Sequence, residues 1–245
     1  MYGDKTRALA FELRAQGLSV AAIHRRLNVS RAAIAQWLRK PSPARRVHDR
    51  CFVCHGSRCP EGAVYGYLLG QYLGDGYLVT TVRVPRLRIA CADAYPAIAA
   101  EVDHALTTLS GNRVCVTRSV GCSDHASHWT HWPCLLPQHG LGKKHERPIV
   151  LADWQRTIVE EHPWSLIRGL IHSDGCRVIN CVVVHGKAYQ YPRYFFGNES
   201  ADIQAIFTAA LDRVGVPWRN NRGNSVSIAR RAGVARVDEH VGPKR

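Results

Sequence analysis

The sequence predicts an α+β chain: a pseudo-twofold pair of helix-strand-strand-helix-strand-strand halves preceded by a small all-α unit. Three observations predict it. An apolar segment ending in Asp-Gly occurs twice, at residues 68–76 and 167–175, an offset of 99 from Leu68 to Ile167. Strand-like and helix-like patterns follow each copy in the same order. The basic charge gathers at one end: residues 1–50 hold eleven Lys/Arg against Asp4, Glu12 and Asp49, a balance of +8 within a formal net charge of +14.

Residues 1–40 read as three short helices. Leu9 and Leu13 give a first helix an apolar face that Gly17 can close, and Ser19 can cap a second helix carrying Val20, Ile23 and Leu27. Asn28-Val29 supplies a tight turn. Ser30 can then cap a third helix over 31–39, with Ile34, Trp37 and Leu38 inward and Arg31, Ala32, Ala33, Gln36 and Lys40 outward. This pattern resembles the helix-turn-helix of transposases, resolvases and many regulators. The resemblance implies that the last helix enters a major groove; Arg31 and Gln36 suit base edges, Arg25, Arg26 and Arg39 suit phosphates, and Lys40 is a further DNA-facing candidate. The plainer reading of the same residues is a packing module with a solvated basic face.

Residues 41–62 read as a linker that begins with Pro41-Ser42-Pro43 and ends in a cysteine cluster. Cys51, Cys54 and Cys59, with His48 and His55 nearby, suit three or four Zn²⁺ ligands, and they suit plain reduced cysteines equally well. A specific zinc frame calls for a second pair at knuckle spacing, and here only Cys59 follows.

Residues 63–245 form the large domain, with halves at about 63–135 and 163–245. After the first Asp-Gly come strands at 77–84 and 86–92, a helix near 94–109, and strands at 112–120 and 127–135. After the second come strands at 176–184 and 188–196, a helix near 200–214, and strands at 217–221 and 225–228. Period-two patterns place Arg86 and Arg88 on one sheet face, and Lys187, Tyr189, Tyr191 and Arg193 on another. Such faces can track a DNA groove, or they can be ordinary solvated faces of antiparallel sheets. Between the halves lies a tract of Cys122, His125, His128, His131, Cys134, His139, Lys143, Lys144 and His145. The tract could bind metal, but His128-x2-His131-x2-Cys134 is irregular for a known zinc frame. On a strand these residues also alternate between faces and cannot all converge, so a basic polar connector touching DNA or solvent is the favoured reading.

The repeated motif carries the chemistry. Gly70 and Gly74, like Gly169 and Ser173, are four apart, so each helix has a ridge of small residues where another backbone can approach. Ridge-to-ridge packing brings Asp75 and Asp174 side by side. A carboxylate is disfavoured by roughly 0.3–1 kcal/mol at the negative end of a helix, and two adjacent ones repel, so a shared proton or a divalent cation is expected. Oxygen ligands favour Mg²⁺. Gly76 and Gly175 suit left-handed helix stops, and a simple turn is the competing explanation for either Asp-Gly alone.

Both segments resemble the motif of the LAGLIDADG homing endonucleases. Gly169, Leu170, Ile171, Asp174 and Gly175 match it, with His172 replacing an acidic residue; Gly70, Asp75 and Gly76 match in the first copy. The resemblance covers about 63–245. It implies a saddle of two antiparallel sheets and a catalytic metal pair, Asp75 and Asp174, holding two or more Mg²⁺ ions, with Mn²⁺ as substitute. Lys143 and Lys144 are the candidates for a basic group near the scissile phosphate.

The implied activity is metal-dependent hydrolysis of double-stranded DNA at selected sites by a monomer. The start at Met1-Tyr2 and the end at Lys244-Arg245 suggest a freestanding protein rather than an intein. The alternative is a transcriptional regulator that uses the scaffold for binding only, since a helix-turn-helix joined to it resembles, in reversed order, the WhiA sporulation regulators. No apolar run of about 20 residues predicts a membrane span. Nine cysteines without a secretory signal point to reduced thiols or metal ligands in a cytoplasm.

Overall fold

In the computed structural model, residues 4–39, 51–221, 223–242 and 244 are described, and the chain divides into two compact units, Met1–Asp49 and Arg50–Arg245. Lys40 and the Pro41-Ser42-Pro43 linker lie outside the described residues.

The first unit is α1 (Asp4–Ala15), α2 (Val20–Leu27) and α3 (Arg31–Arg39). Ser19 Oγ accepts the Ala22 N–H and Ser30 Oγ accepts the Ala33 N–H, each at 3.2 Å, so α2 and α3 both begin on a hydroxyl cap. Asn28, at φ 53°, turns the chain between them. Ile23, Val29 and Ile34 bury together with Ala10 and Leu13. The face of α1 is shifted from expectation: Ala10 is buried, whereas Leu9 is 43% exposed.

The second unit begins with α4 (Phe52–His55) and α5 (Gly62–Leu73). Its first half continues as β1 (Gly76–Val79), β2 (Arg86–Ala92), α6 (Pro96–Ser110), β3 (Cys115–Ser119) and β4 (Cys122–His128). A connector with α7 (Trp132–Leu135), a 3-10 turn (Lys144–Glu146) and α8 (Asp153–Glu161) follows. The second half is α9 (Pro163–Asp174), β5 (Gly175–Val184), β6 (Lys187–Gly197), α10 (Ala201–Arg213), β7 (Arg219–Asn220), β8 (Ser225–Ile228) and α11 (Arg231–His240). The two sheets are antiparallel throughout and share one topology, β1-β2-β4-β3 and β5-β6-β8-β7. The fold is therefore α+β with two equivalent αββαββ halves.

One expected strand is corrected. Residues 127–135 do not form a strand: β4 ends at His128, and Trp132–Leu135 is a helical turn with Pro133 in its first positions. Proline cannot donate to a sheet ladder but costs nothing where a helix starts. The short elements α4, α8 and α11 are additions to the expected order.

The core sits where α5 and α9 cross between the sheets. From Tyr65 to Leu73 every residue of α5 is buried, so this helix is enclosed on all sides. Its Tyr65 and Gln71 side chains are paired inside the core: the Tyr65 hydroxyl donates to the Leu135 carbonyl and accepts from Gln155 Nε2, both at 2.7 Å. The Gln71 amide donates to the Tyr67 hydroxyl at 2.9 Å.

Candidate functional site

The small residues of the two motifs face one another across the α5–α9 seam. A methyl group on Gly169 would stand 2.3 Å from the Tyr67 carbonyl oxygen and 3.0 Å from the Gly70 Cα. One on Gly70 would stand 2.7 Å from both the Leu166 oxygen and the Leu170 nitrogen, and one on Gly74 would overlap the Ser173 side chain. Backbone meets backbone here, which only glycine allows. Ser173 directs its hydroxyl back to the Gly169 and Leu170 carbonyls of its own helix, at 3.1 and 3.0 Å.

The glycines after the two carboxylates have a different basis from the expected left-handed stop. Gly175 has φ −96°, and Gly76 also lies outside the positive-φ region. A methyl on Gly76 would meet the Tyr72 Cα at 2.5 Å, and one on Gly175 the Ile171 Cα at 2.7 Å. Each chain turns from helix into strand so tightly that the strand's first residue touches the preceding helical turn.

This geometry delivers Asp75 and Asp174 to the bottom of the seam, where each perturbs its surroundings. Asp75 keeps an accessible face, yet burial and then the negative charge of Asp174 push its carboxyl up to about 6, against the opposing pull of Lys244 and Lys144. Burial also raises Asp174, while the Asn198 side-chain amide, donating to its Oδ2 at 2.6 Å, and the same two lysines lower it.

The lysines repeat the twofold relation. Lys144 Nζ donates to the carbonyls of Tyr72, Leu73 (3.1 Å) and Gly74 (2.6 Å) at the end of α5. Lys244 Nζ donates to the Ser173 carbonyl at the end of α9, at 2.8 Å. Burial brings Lys144 down to about 8 despite the two carboxylates. Each amine thus closes a helix end that its own glycine leaves open. Lys143, by contrast, is largely exposed and pairs loosely with Glu146 at 3.8 Å. Lys244 escaped sequence reasoning because nothing in the C-terminal residues marks a contact across 71 positions. A cleft of about 630 Å³ opens beside Asp174, bordered by Gly74, Lys143, Lys144 and Asn198.

The remaining candidate residues are dispersed. On α3, Arg31, Gln36 and Arg39 are exposed. Arg86 and Arg88 are half-buried on β2, and Arg88 is tied to Asp124 of the neighbouring strand at 2.9 Å. Lys187, Tyr189, Tyr191 and Arg193 share one face of β6, with Lys187 5.5 Å over the Tyr189 ring and Arg193 5.6 Å over Phe195.

The His/Cys tract is internal in several places, which a plain connector does not account for and the alternative of metal ligands partly does. His125 is buried and pairs with Asp103 at 2.6 Å, and Lys144 enters the carboxylate site. His131 and Cys134 come together with Cys51 and Cys54, all four ligand atoms lying within 4.8 Å of one another. Cys59 does not join this group; it is buried next to Glu61. The expected set of Cys51, Cys54 and Cys59 is corrected accordingly. The second pair at knuckle spacing is His131-x2-Cys134, a spacing visible in the sequence but set aside there because a strand would point its residues to opposite faces; the helical turn at Trp132–Leu135 removes that objection.

A family model for a homeodomain-like domain matches residues 2–42. No curated protein matches the sequence. Among solved structures, the chain is similar to mesophilic variants of the homing endonuclease I-DmoI, at 11% identity over 74% of this chain and 96% of that one, with a TM-score of 0.44. A variant of I-SmaMI is similar at 8% identity over 72% and 84%, with a TM-score of 0.49. The N-terminal LAGLIDADG domain of WhiA is similar at 13% identity over 76% and 85%, with a TM-score of 0.47.

Proposed function

We propose that the chain is a sequence-specific, metal-dependent double-stranded DNA endonuclease of the LAGLIDADG type. The observation that carries this reading is the carboxylate pair: Asp75 and Asp174, one from each half, at the foot of a single helix seam with a lysine beside each. A helix pair that needed only to pack would gain from neutral residues there, because both carboxyls are held above their ordinary range at a cost in stability.

The donor set fits a hard divalent cation. It is made of carboxylate oxygens from two facing side chains, and the Asn198 amide occupies one side of Asp174 and fixes its orientation. Asp75 and Asp174 would hold Mg²⁺, with Mn²⁺ as substitute. A bound Mg²⁺ supplies positive charge to a phosphodiester and acidifies water for its attack. Lys144 and Lys244 pin the helix ends and keep the two carboxylates in register. Lys143, exposed at the cleft, would meet a phosphate. Basic and aromatic side chains of β2 and β6 would follow the duplex, and α3 would add affinity through a second linked DNA contact.

Selection of binding sites from a random duplex library, followed by incubation with Mg²⁺ or Mn²⁺, tests the proposal. Wild type should cut its selected site, whereas Asp75→Asn and Asp174→Asn should bind it and leave it intact. The homeodomain-like unit favours a second reading, a transcriptional regulator. Tight selected sites that wild type never nicks in either metal would decide for that reading.

A further inference from the structure

The cluster of Cys51, Cys54, His131 and Cys134 belongs to no part of the DNA chemistry, and its geometry is specific. Two one-turn helices, α4 and α7, are each preceded by a ligand-type residue, Cys51 and His131. Each carries a second one three positions later, Cys54 and Cys134. The two turns pack against each other. Cys54 Sγ lies 3.3 Å from His131 Nδ1 and 3.5 Å from Cys134 Sγ, and Cys134 Sγ lies 3.8 Å from His131 Nδ1. Bond lengths of about 2.3 Å for Zn–S and about 2.0–2.1 Å for Zn–N give a tetrahedron with edges of about 3.8 Å between sulfurs and about 3.5 Å between sulfur and nitrogen. The three separations among Cys54, His131 and Cys134 are within about 0.3 Å of such edges, and Cys51 Sγ lies within 4.8 Å of the other three ligand atoms.

We infer that Cys51, Cys54, His131 and Cys134 form a structural zinc site. Three soft thiolates and one imidazole select Zn²⁺ over the hard cations suited to the carboxylate pair, and four protein ligands leave no open position for catalysis. Binding ionises the three thiols and releases their protons to solvent, leaving a centre of net charge −1. His131 is set by its neighbours, with its ring edge-on to the buried Trp129 at 5.3 Å. Cys51 is fully buried and Phe52 beside it packs edge-on to Tyr65 and Trp154, so the first knuckle is rooted in the core.

The location gives the metal its task. All of α5, β1, β2, α6, β3 and β4 lies between the two knuckles, so one ion would close the first half as a loop. Such closure lowers the conformational entropy of the unfolded chain. It would also anchor Cys51, where the chain enters the second unit. Among the described residues this is the single group of its kind.

The intact chain, purified without a polyhistidine tag or chelator under reducing conditions, should carry about one zinc per molecule by mass spectrometry of the metal. Cobalt exchanged into the site should show thiolate-to-metal charge transfer and the intense visible bands of tetrahedral coordination. Cys54→Ser and Cys134→Ser should lose the zinc, Cys59→Ser should keep it, and Cys134→His should keep it as well. The cobalt spectrum of wild type and the retention in Cys134→His need no damaged variant. A folded, reduced chain without zinc or tetrahedral cobalt overturns the inference. So does a Cys54–Cys134 disulfide in the native protein, or zinc that persists in both serine variants.

Discussion

The two halves share a topology, a carboxylate and a lysine, yet their motif helices are built differently. Where α5 has Leu69 and Leu73, both fully buried, α9 has Arg168 and His172 at the matching positions. Arg168 reaches across to Glu101 of α6 at 2.8 Å, and His172 lies behind the Tyr67 hydroxyl at 3.3 Å. The first half is thus held by apolar enclosure and the second by a polar stripe that leans on the first. Backbone symmetry at the seam is strict, because glycine contacts enforce it. Side-chain support away from the seam is free to diverge.

The seam offers the largest effect. Gly169→Ala should lower stability by about 3 kcal/mol, the upper end of what overpacking costs, because its methyl meets fixed backbone and the helices must separate. Gly66→Ala, whose methyl would find the Ser165 Cβ at an ordinary 3.4 Å, should be neutral or slightly stabilising. Chemical denaturation of the two variants checks this. Equal losses would mean that contact along the helices, not the Gly70–Gly169 crossing, joins the halves.

The polar stripe predicts a pH effect confined to α9. Burial, reinforced by Arg168, drives His172 down to about 4, while Glu101 pulls the other way. In the unfolded chain it titrates near 6.5, so acid favours unfolding: the contribution of neutral His172 is complete above about 6.5 and lost as pH falls toward 4. The loss is at most about 3 kcal/mol. Denaturation midpoints of wild type and His172→Gln measured from pH 7 to 4 should converge on acidification. A constant gap between them would remove His172 from the account.

The sheet faces give the smallest effects. Lys187→Ala should weaken duplex binding severalfold and reduce the salt slope by about 1. Arg88→Ala should do less, since Asp124 already neutralises that guanidinium. Fluorescence anisotropy across a salt series separates the two. A larger loss at Arg88 would reverse the assignment of the outer face.

Much of this was legible in the residues. The four-residue spacing of Gly70 and Gly74, and of Gly169 and Ser173, announces a close helix crossing because small residues at that interval share a helix face. The Asp75 and Asp174 carboxylates follow from where those helices end. What stayed hidden depends on distant contact. Lys244 acts through a fold-wide approach with no local signature. The Cys/His cluster was half visible in Cys51-x2-Cys54, and the reading of 127–135 as a strand kept His131-x2-Cys134 from being joined to it. Pro133 was the available warning, being at home in a first helical turn and foreign to a ladder. The expected left-handed glycines at 76 and 175 show the converse error, a correct residue explained by conformation when crowding by Tyr72 and Ile171 is the cause.

The crossing of Gly70 with Gly169 has a bearing on descent as well as on stability. Because each helix completes the interior of the other, neither half is a self-sufficient module. Drift on one side of the crossing must be answered on the other. Halves joined across such a crossing are free to differ at their rims, while a change at the centre of one calls for a matching change in the other.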